Sequence, residues 1–139
     1  IVWALIELGA DVNEADDDGT TPLFIATKNG LEAMVRALIE AGSDVNKATH
    51  TGWTPLYIAA QTGHEAIVWA LIELGADVNE ADDDGTTPLF IATKNGLEAM
   101  VRALIEAGSD VNKATHTGWT PLYIAAQTGH EAIVWALIE

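Results

Sequence analysis

Apolar residues recur at helical spacing in the segment that follows Leu31. Met34, Val35, Leu38 and Ile39 stand at positions i, i+1, i+4 and i+5, so a helix would carry them as a single stripe. Gly42 follows as a residue that ends helices. The pattern predicts an amphipathic helix with one buried side.

A second, shorter helix is predicted before it. Thr21-Pro22 has the composition of a helix start, because a threonine hydroxyl caps free backbone N–H groups and proline fits the first helical position. Asn29-Gly30 offers left-handed residues for its C-cap. Asp44-Val45-Asn46 then begins an extended segment that leads to the next turn. Helices this short are unstable alone in water, so they must stack on neighbours.

The chain repeats itself at two periods. Residues 67–139 are identical to residues 1–73, which gives a period of 66 residues, and Thr21-Pro22-Leu23 overlies Thr54-Pro55-Leu56 at a shift of 33. We therefore expect a single array over residues 1–139, in which each repeat is one pair of helices. The predicted boundaries are a partial repeat at 1–15, full repeats at 16–48, 49–81 and 82–114, and a truncated repeat at 115–139.

The repeat resembles the ankyrin repeat family. The resemblance covers the whole chain and rests on the period, on the Gly-His before Glu65, on the Leu-Ile-Glu-x-Gly-Ala-Asp-Val-Asn segment and on Thr-Pro-Leu at Thr21, Thr54, Thr87 and Thr120. It implies an all-α solenoid of stacked helix-turn-helix repeats joined by β-turn and loop segments. It also implies a protein-binding module without catalytic activity.

Two positions depart from the family pattern. Phe24, Tyr57, Phe90 and Tyr123 stand where ankyrin repeats usually carry a histidine that ties adjacent loops together. We expect ring packing to replace that tie, with the tyrosine hydroxyl as a substitute hydrogen-bonding group. Leu31 and Leu97 replace the histidine of Gly-His, whereas His64 and His130 retain it and are expected to cap the helices that follow.

The resemblance further implies where a partner protein would bind, namely the loop tips and the inner, concave face of the first helices. Trp53 and Trp119 would be the aromatic anchors of this face, since tryptophan is enriched in interface hot spots. The alternative is that each ring packs on a neighbouring loop. The implied contact positions are Asp17, Asp18, Thr20, Lys28, Asn29, His50, Thr51, Trp53, Gln61, Thr62 and Trp119.

Trp69 predicts a second surface, on the outer side of the second helices. It shares a helix face with Glu65 and Glu73, opposite the apolar stripe, and is therefore expected to face solvent beside the small Ala66 and Ala70. Stacked repeats would align Trp3, Arg36, Trp69, Arg102 and Trp135 in one row.

Two interpretations of this row stay open. Each indole could lie flat against the neighbouring arginine, which stabilises by about 0.5–1 kcal/mol at an exposed site. Alternatively, the row buries itself against the same row of another copy and forms a symmetric homo-oligomer. We favour self-association, because regularly spaced exposed tryptophans are otherwise avoided. A stability model that has no partner at all is a third possibility.

Composition narrows the classes of function. The chain has 21 acidic and 6 basic residues and a formal net charge of −15, which disfavours nucleic acid and acidic membrane surfaces as partners. Cysteine is absent, and no grouping of residues indicates catalysis, a cofactor or a small-molecule substrate. Asp16-Asp17-Asp18 lacks the ligand spacing of a calcium loop, and His50 and His116 lie too far apart to share a metal. We expect no metal site within a chain, although a histidine cluster across a symmetry axis of an oligomer stays open, and a cytoplasmic location if the chain is expressed in a cell.

Perfect identity between the halves favours an engineered, idealised unit over a recent tandem duplication. Both ends of the sequence lie within a second helix, and no polar capping repeat is visible, so we expect caps outside this sequence or neighbours that cover its ends.

Overall fold

A computed structural model describes the backbone of residues 1–139 and every side chain except that of residue 2. Over this described backbone the chain is all-α, with short helices joined by turns and loops. The helices are α1 (Val2–Glu7), α2 (Pro22–Lys28), α3 (Glu32–Glu40), α4 (Pro55–Thr62), α5 (Glu65–Glu73), α6 (Pro88–Lys94), α7 (Glu98–Glu106), α8 (Pro121–Thr128) and α9 (Glu131–Ile138).

The threonine-proline pairs start the first helices as predicted. The Phe24 backbone N–H donates to Thr21 Oγ1 at 3.1 Å, and α4, α6 and α8 begin with the same bond to Thr54, Thr87 and Thr120. Asn29 is the C-cap of α2 but is not left-handed, because its φ is −87°. The prediction of a left-handed conformation is therefore wrong for Asn29 and confirmed for Gly30, whose φ is 73°. A glycine is needed there because a side chain is strained at positive φ.

The helices form two layers. The first helices α2, α4, α6 and α8 pack on one another in sequence, and each also packs on the second helix that follows it. The second helices α3, α5, α7 and α9 form the other layer. The core lies between the layers, where Leu23, Leu56, Leu89, Val35, Val68 and Val101 are buried almost completely.

The segments between repeats form a hydrogen-bonded ladder. The Asn46 side chain donates to the Gly75 carbonyl at 3.2 Å and accepts from the Asp77 N–H at 2.8 Å, so one asparagine joins consecutive repeats. The turns are joined as well, because the Asp83 N–H donates to the Thr51 carbonyl at 3.1 Å. Each repeat is therefore held by its neighbours through backbone groups as well as by apolar packing.

Within the described residues, no helix has the length and apolar character that crossing a bilayer requires.

Candidate protein-binding surfaces

The tryptophan row on the second helices is only partly exposed. Trp3 and Trp135 expose 44% and 57% of their surface, and Ala66 is also exposed. Trp69, which we expected to face solvent, is half-buried. It lies on α5, between α3 and α7, so neighbouring helices cover part of the indole.

The prediction that Ala70 lies on this surface is wrong. Ala70 is fully buried, and its equivalents Ala103 and Ala136 are buried as well. Second helices pack side by side in this layer. The exposed surface of the row is therefore smaller than the sequence predicted, because Ala70 is not part of it.

The arginines of the row make ion pairs along their own helices. Arg36 Nε lies 3.2 Å from Glu32 Oε2, and Arg102 Nε lies 3.1 Å from Glu98 Oε2. Arg102 also lies 3.9 Å from Glu139 through Nη1. These i,i+4 pairs direct the guanidinium groups toward glutamates. They therefore disfavour the interpretation in which each indole stacks on an arginine.

The loop-tip face, which we define by the eleven positions from Asp17 to Trp119 named above, is largely accessible. Thr20, Trp53 and Gln61 are half-buried. The other eight are exposed: Asp17, Asp18, Lys28, Asn29, His50, Thr51, Thr62 and Trp119. This face carries acidic turn tips beside aromatic rings.

The tryptophans of the loop-tip face pack on tyrosines of their own repeats. The ring centroids of Trp53 and Tyr57 lie 5.0 Å apart at an interplanar angle of 26°, and those of Trp119 and Tyr123 lie 5.3 Å apart at 42°. Each tryptophan therefore stacks on the first helix of its own repeat; packing on a neighbouring loop stays a prediction.

Tyr57 connects its repeat to the next turn, as the departure from the family histidine led us to expect. Burial, followed by the negative charges of Asp82 and Asp84, raises the pKa of the Tyr57 hydroxyl well above its ordinary value. The phenol therefore stays neutral and lies beside the carboxylates of the following repeat.

The histidines lie against glycines of the preceding repeat. A Cβ atom on Gly30 would lie 2.7 Å from Cε1 of His64, and Nε2 of His64 lies 3.3 Å from the Lys28 carbonyl oxygen. The prediction that the His64 and His130 side chains cap their helices is wrong, because neither makes a cap hydrogen bond. His64 reaches back over the preceding repeat instead. Among the described residues, no group of three or more histidines and carboxylates could hold a metal ion.

Apolar side chains are exposed in the first and last repeats, where the sequence shows no polar capping repeat. Leu5, Ile25 and Met34 line an apolar groove between α1, α2 and α3. Leu122 of α8 and Ile138 of α9 are also exposed.

Comparison with protein families agrees with this architecture. A family model described as ankyrin repeats (3 copies) matches residues 1–82 and 74–139, which together span the chain. The chain belongs to the ankyrin repeat family. Ankyrin repeats mediate protein–protein interactions and are typically non-enzymatic, so the chain is a protein-interaction scaffold. No curated protein matches the sequence.

Proposed function

We propose that this ankyrin repeat array is a non-catalytic scaffold whose partner is another copy of itself. The observation that carries the proposal is the row of tryptophans on the second helices, in which Trp69 of an interior repeat keeps part of its indole exposed beside the exposed Ala66. Exposed apolar patches on soluble proteins mark interaction sites. The exact duplication of the 66-residue unit supports an engineered origin for such a scaffold.

The tryptophan row is the first surface proposed for this contact. It presents Trp3 and Trp135 as its exposed indoles, with Ala66 as a small exposed neighbour of the half-buried Trp69. Large aromatic side chains beside small ones suit helix packing across a symmetric interface.

Sedimentation at micromolar concentration tests the row. Changing Trp3, Trp69 and Trp135 to arginine together should convert an associating chain to a monomer. Leu74→Arg is the control for the charge added at one site, because Leu74 is an exposed apolar residue outside the row. A wild-type chain that stays monomeric at all concentrations contradicts self-association, and a triple variant that still associates contradicts the row.

A second candidate function is recognition of a basic protein on the loop-tip face. The exposed carboxylates of Asp17, Asp18, Asp83 and Asp84 favour it, with Trp119 exposed nearby as an aromatic anchor. A lysine-rich peptide serves as the probe. Binding that weakens several-fold when these four aspartates become asparagine, and that changes Trp119 fluorescence, would support it. Absence of binding at physiological salt would contradict it.

A further inference from the structure

Tryptophan and arginine alternate along the layer of second helices. Arg36, Trp69 and Arg102 are 33 residues apart and occupy the same place in α3, α5 and α7. These helices are neighbours in the layer, since α5 contacts both α3 and α7. A step of one repeat along the layer therefore exchanges an indole for a guanidinium group.

Two glutamates flank the tryptophan on its own helix. Glu65 and Glu73 stand four residues before and four residues after Trp69, and both are exposed. Among the described residues, neither glutamate forms an ion pair. A cation over the accessible part of the half-buried indole would therefore lie between two carboxylates and beside a ring that attracts cations.

The arginines of the same chain do not occupy this position. Arg36 Nε lies 3.2 Å from Glu32 Oε2 on α3. Arg102 Nε lies 3.1 Å from Glu98 Oε2 on α7. Both arginine side chains are 48% exposed, and exposed ion pairs of this kind are weak. Each guanidinium group is therefore accessible to a second copy of the chain.

We propose that two copies associate with their rows antiparallel and displaced by one repeat, so that an arginine of one copy meets Trp69 of the other. The inference rests on the proposed function, which supplies the surface and the partner, and it adds the register of the contact. Charge complementarity selects a second copy as the occupant. Each copy carries both halves of the contact, namely an exposed guanidinium group and an indole between two carboxylates.

Symmetry forms this contact twice. A two-fold axis that runs along the helices, between α5 and a neighbouring second helix, places Trp69 of each copy opposite an arginine of the other. With the axis along α5 itself, Trp69 would meet Trp69 of the second copy, and Arg36 would meet Arg102 of the second copy. The glutamates of the two layers face each other in both registers. The arginines therefore decide between them, because only the displaced register avoids a contact between like guanidinium charges.

Removal of the two carboxylates beside Trp69 tests the register. Sedimentation of a Glu65→Gln, Glu73→Gln variant should show association weakened several-fold, because the incoming guanidinium group loses both carboxylates. The matched control is Glu40→Gln with Glu106→Gln, which removes two charges from exposed positions of the same layer. The control should leave association unchanged or tighten it, because it lowers the repulsion between two acidic layers.

Loss of the arginines provides a second readout. Arg36→Gln with Arg102→Gln should weaken association several-fold, because Trp69 of the second copy loses its cation. Lys28→Gln with Lys94→Gln is the control, since it removes two positive charges from exposed positions at the ends of the first helices. This control should associate like wild type.

The outcomes separate this inference from the proposed function. A wild-type chain that stays monomeric at every concentration overturns both. Association that the Glu65→Gln, Glu73→Gln variant leaves unchanged or tightens overturns the register alone. Association that tightens or stays unchanged when Arg36 and Arg102 are replaced does the same, and so does equal weakening in a variant and its control.

Discussion

The interior and the ends of this array have the same sequence but different environments. Met100 is 2% exposed where α6 and α7 meet the preceding repeat, whereas Met34, its copy one unit earlier, is 37% exposed. The backbone of both units is helical over the same residues, so local structure follows the sequence while burial follows the neighbour. The free energy of unfolding of such an array therefore depends on the interfaces between repeats as well as on the repeats themselves.

The aromatic pairs show the same effect on a smaller scale. Trp53 stacks on Tyr57 at 26°, and Tyr57 is buried. Trp119 and Tyr123 tilt to 42° and are both exposed. The two rings are therefore closer to parallel in the repeat that another repeat follows.

The largest expected effect contrasts Leu56 with Leu122. Leu56→Ala should lower the free energy of unfolding by about 2–5 kcal/mol, because it leaves a cavity in the core. Leu122→Ala should lower it by less than about 1 kcal/mol in dilute solution, because an exposed residue has little burial to lose. Urea unfolding monitored by circular dichroism measures both. Equal losses would contradict the view that the following repeat supplies the burial of Leu56.

The sequence predicted the fold well because the repeat encodes it several times. Thr-Pro starts, glycine stops and the stripe around Val35 each mark one element, and four Thr-Pro-Leu sites agree with one another. The surfaces were harder to predict. The helical pattern around Trp69 identifies its face on one helix, but the half-burial of Trp69 and the full burial of Ala70 depend on how closely the adjacent helices approach.

The histidines show the same limit. His64 stands at the N-cap position that the family pattern suggested, yet its ring crosses to Gly30 of the preceding repeat. A pattern within one repeat carries no information about such a contact between repeats.

A smaller effect is expected from the Tyr57 hydroxyl at high pH. Burial raises the pKa of the Tyr57 hydroxyl in the folded state above its unfolded value of 10.0, so the folded state keeps the phenol neutral. Above that pH the unfolded state loses a proton that the folded state keeps, and the free energy of unfolding falls by at most about 1.4 kcal/mol per pH unit from this group. Below that pH the contribution is fully present. Tyr57→Phe should remove this part of the decline, as measured by urea unfolding at pH values on both sides of 10.0.

Tyr123→Phe is the matched control for that measurement. Tyr123 occupies the same place in α8 but is exposed, so Tyr123→Phe removes a hydroxyl group outside the core. A wild type and a Tyr57→Phe variant with superimposable pH profiles would contradict the role assigned to burial and to Asp82.

The two methionines allow the most direct test of the claim that burial follows the neighbouring repeat. With ¹³C-labelled methionine methyl groups, Met34 and Met100 give two NMR signals, which a Met34→Leu variant assigns. A soluble paramagnetic agent should broaden the signal of the exposed Met34 strongly and the signal of the buried Met100 little. Equal broadening of the two signals would contradict the account.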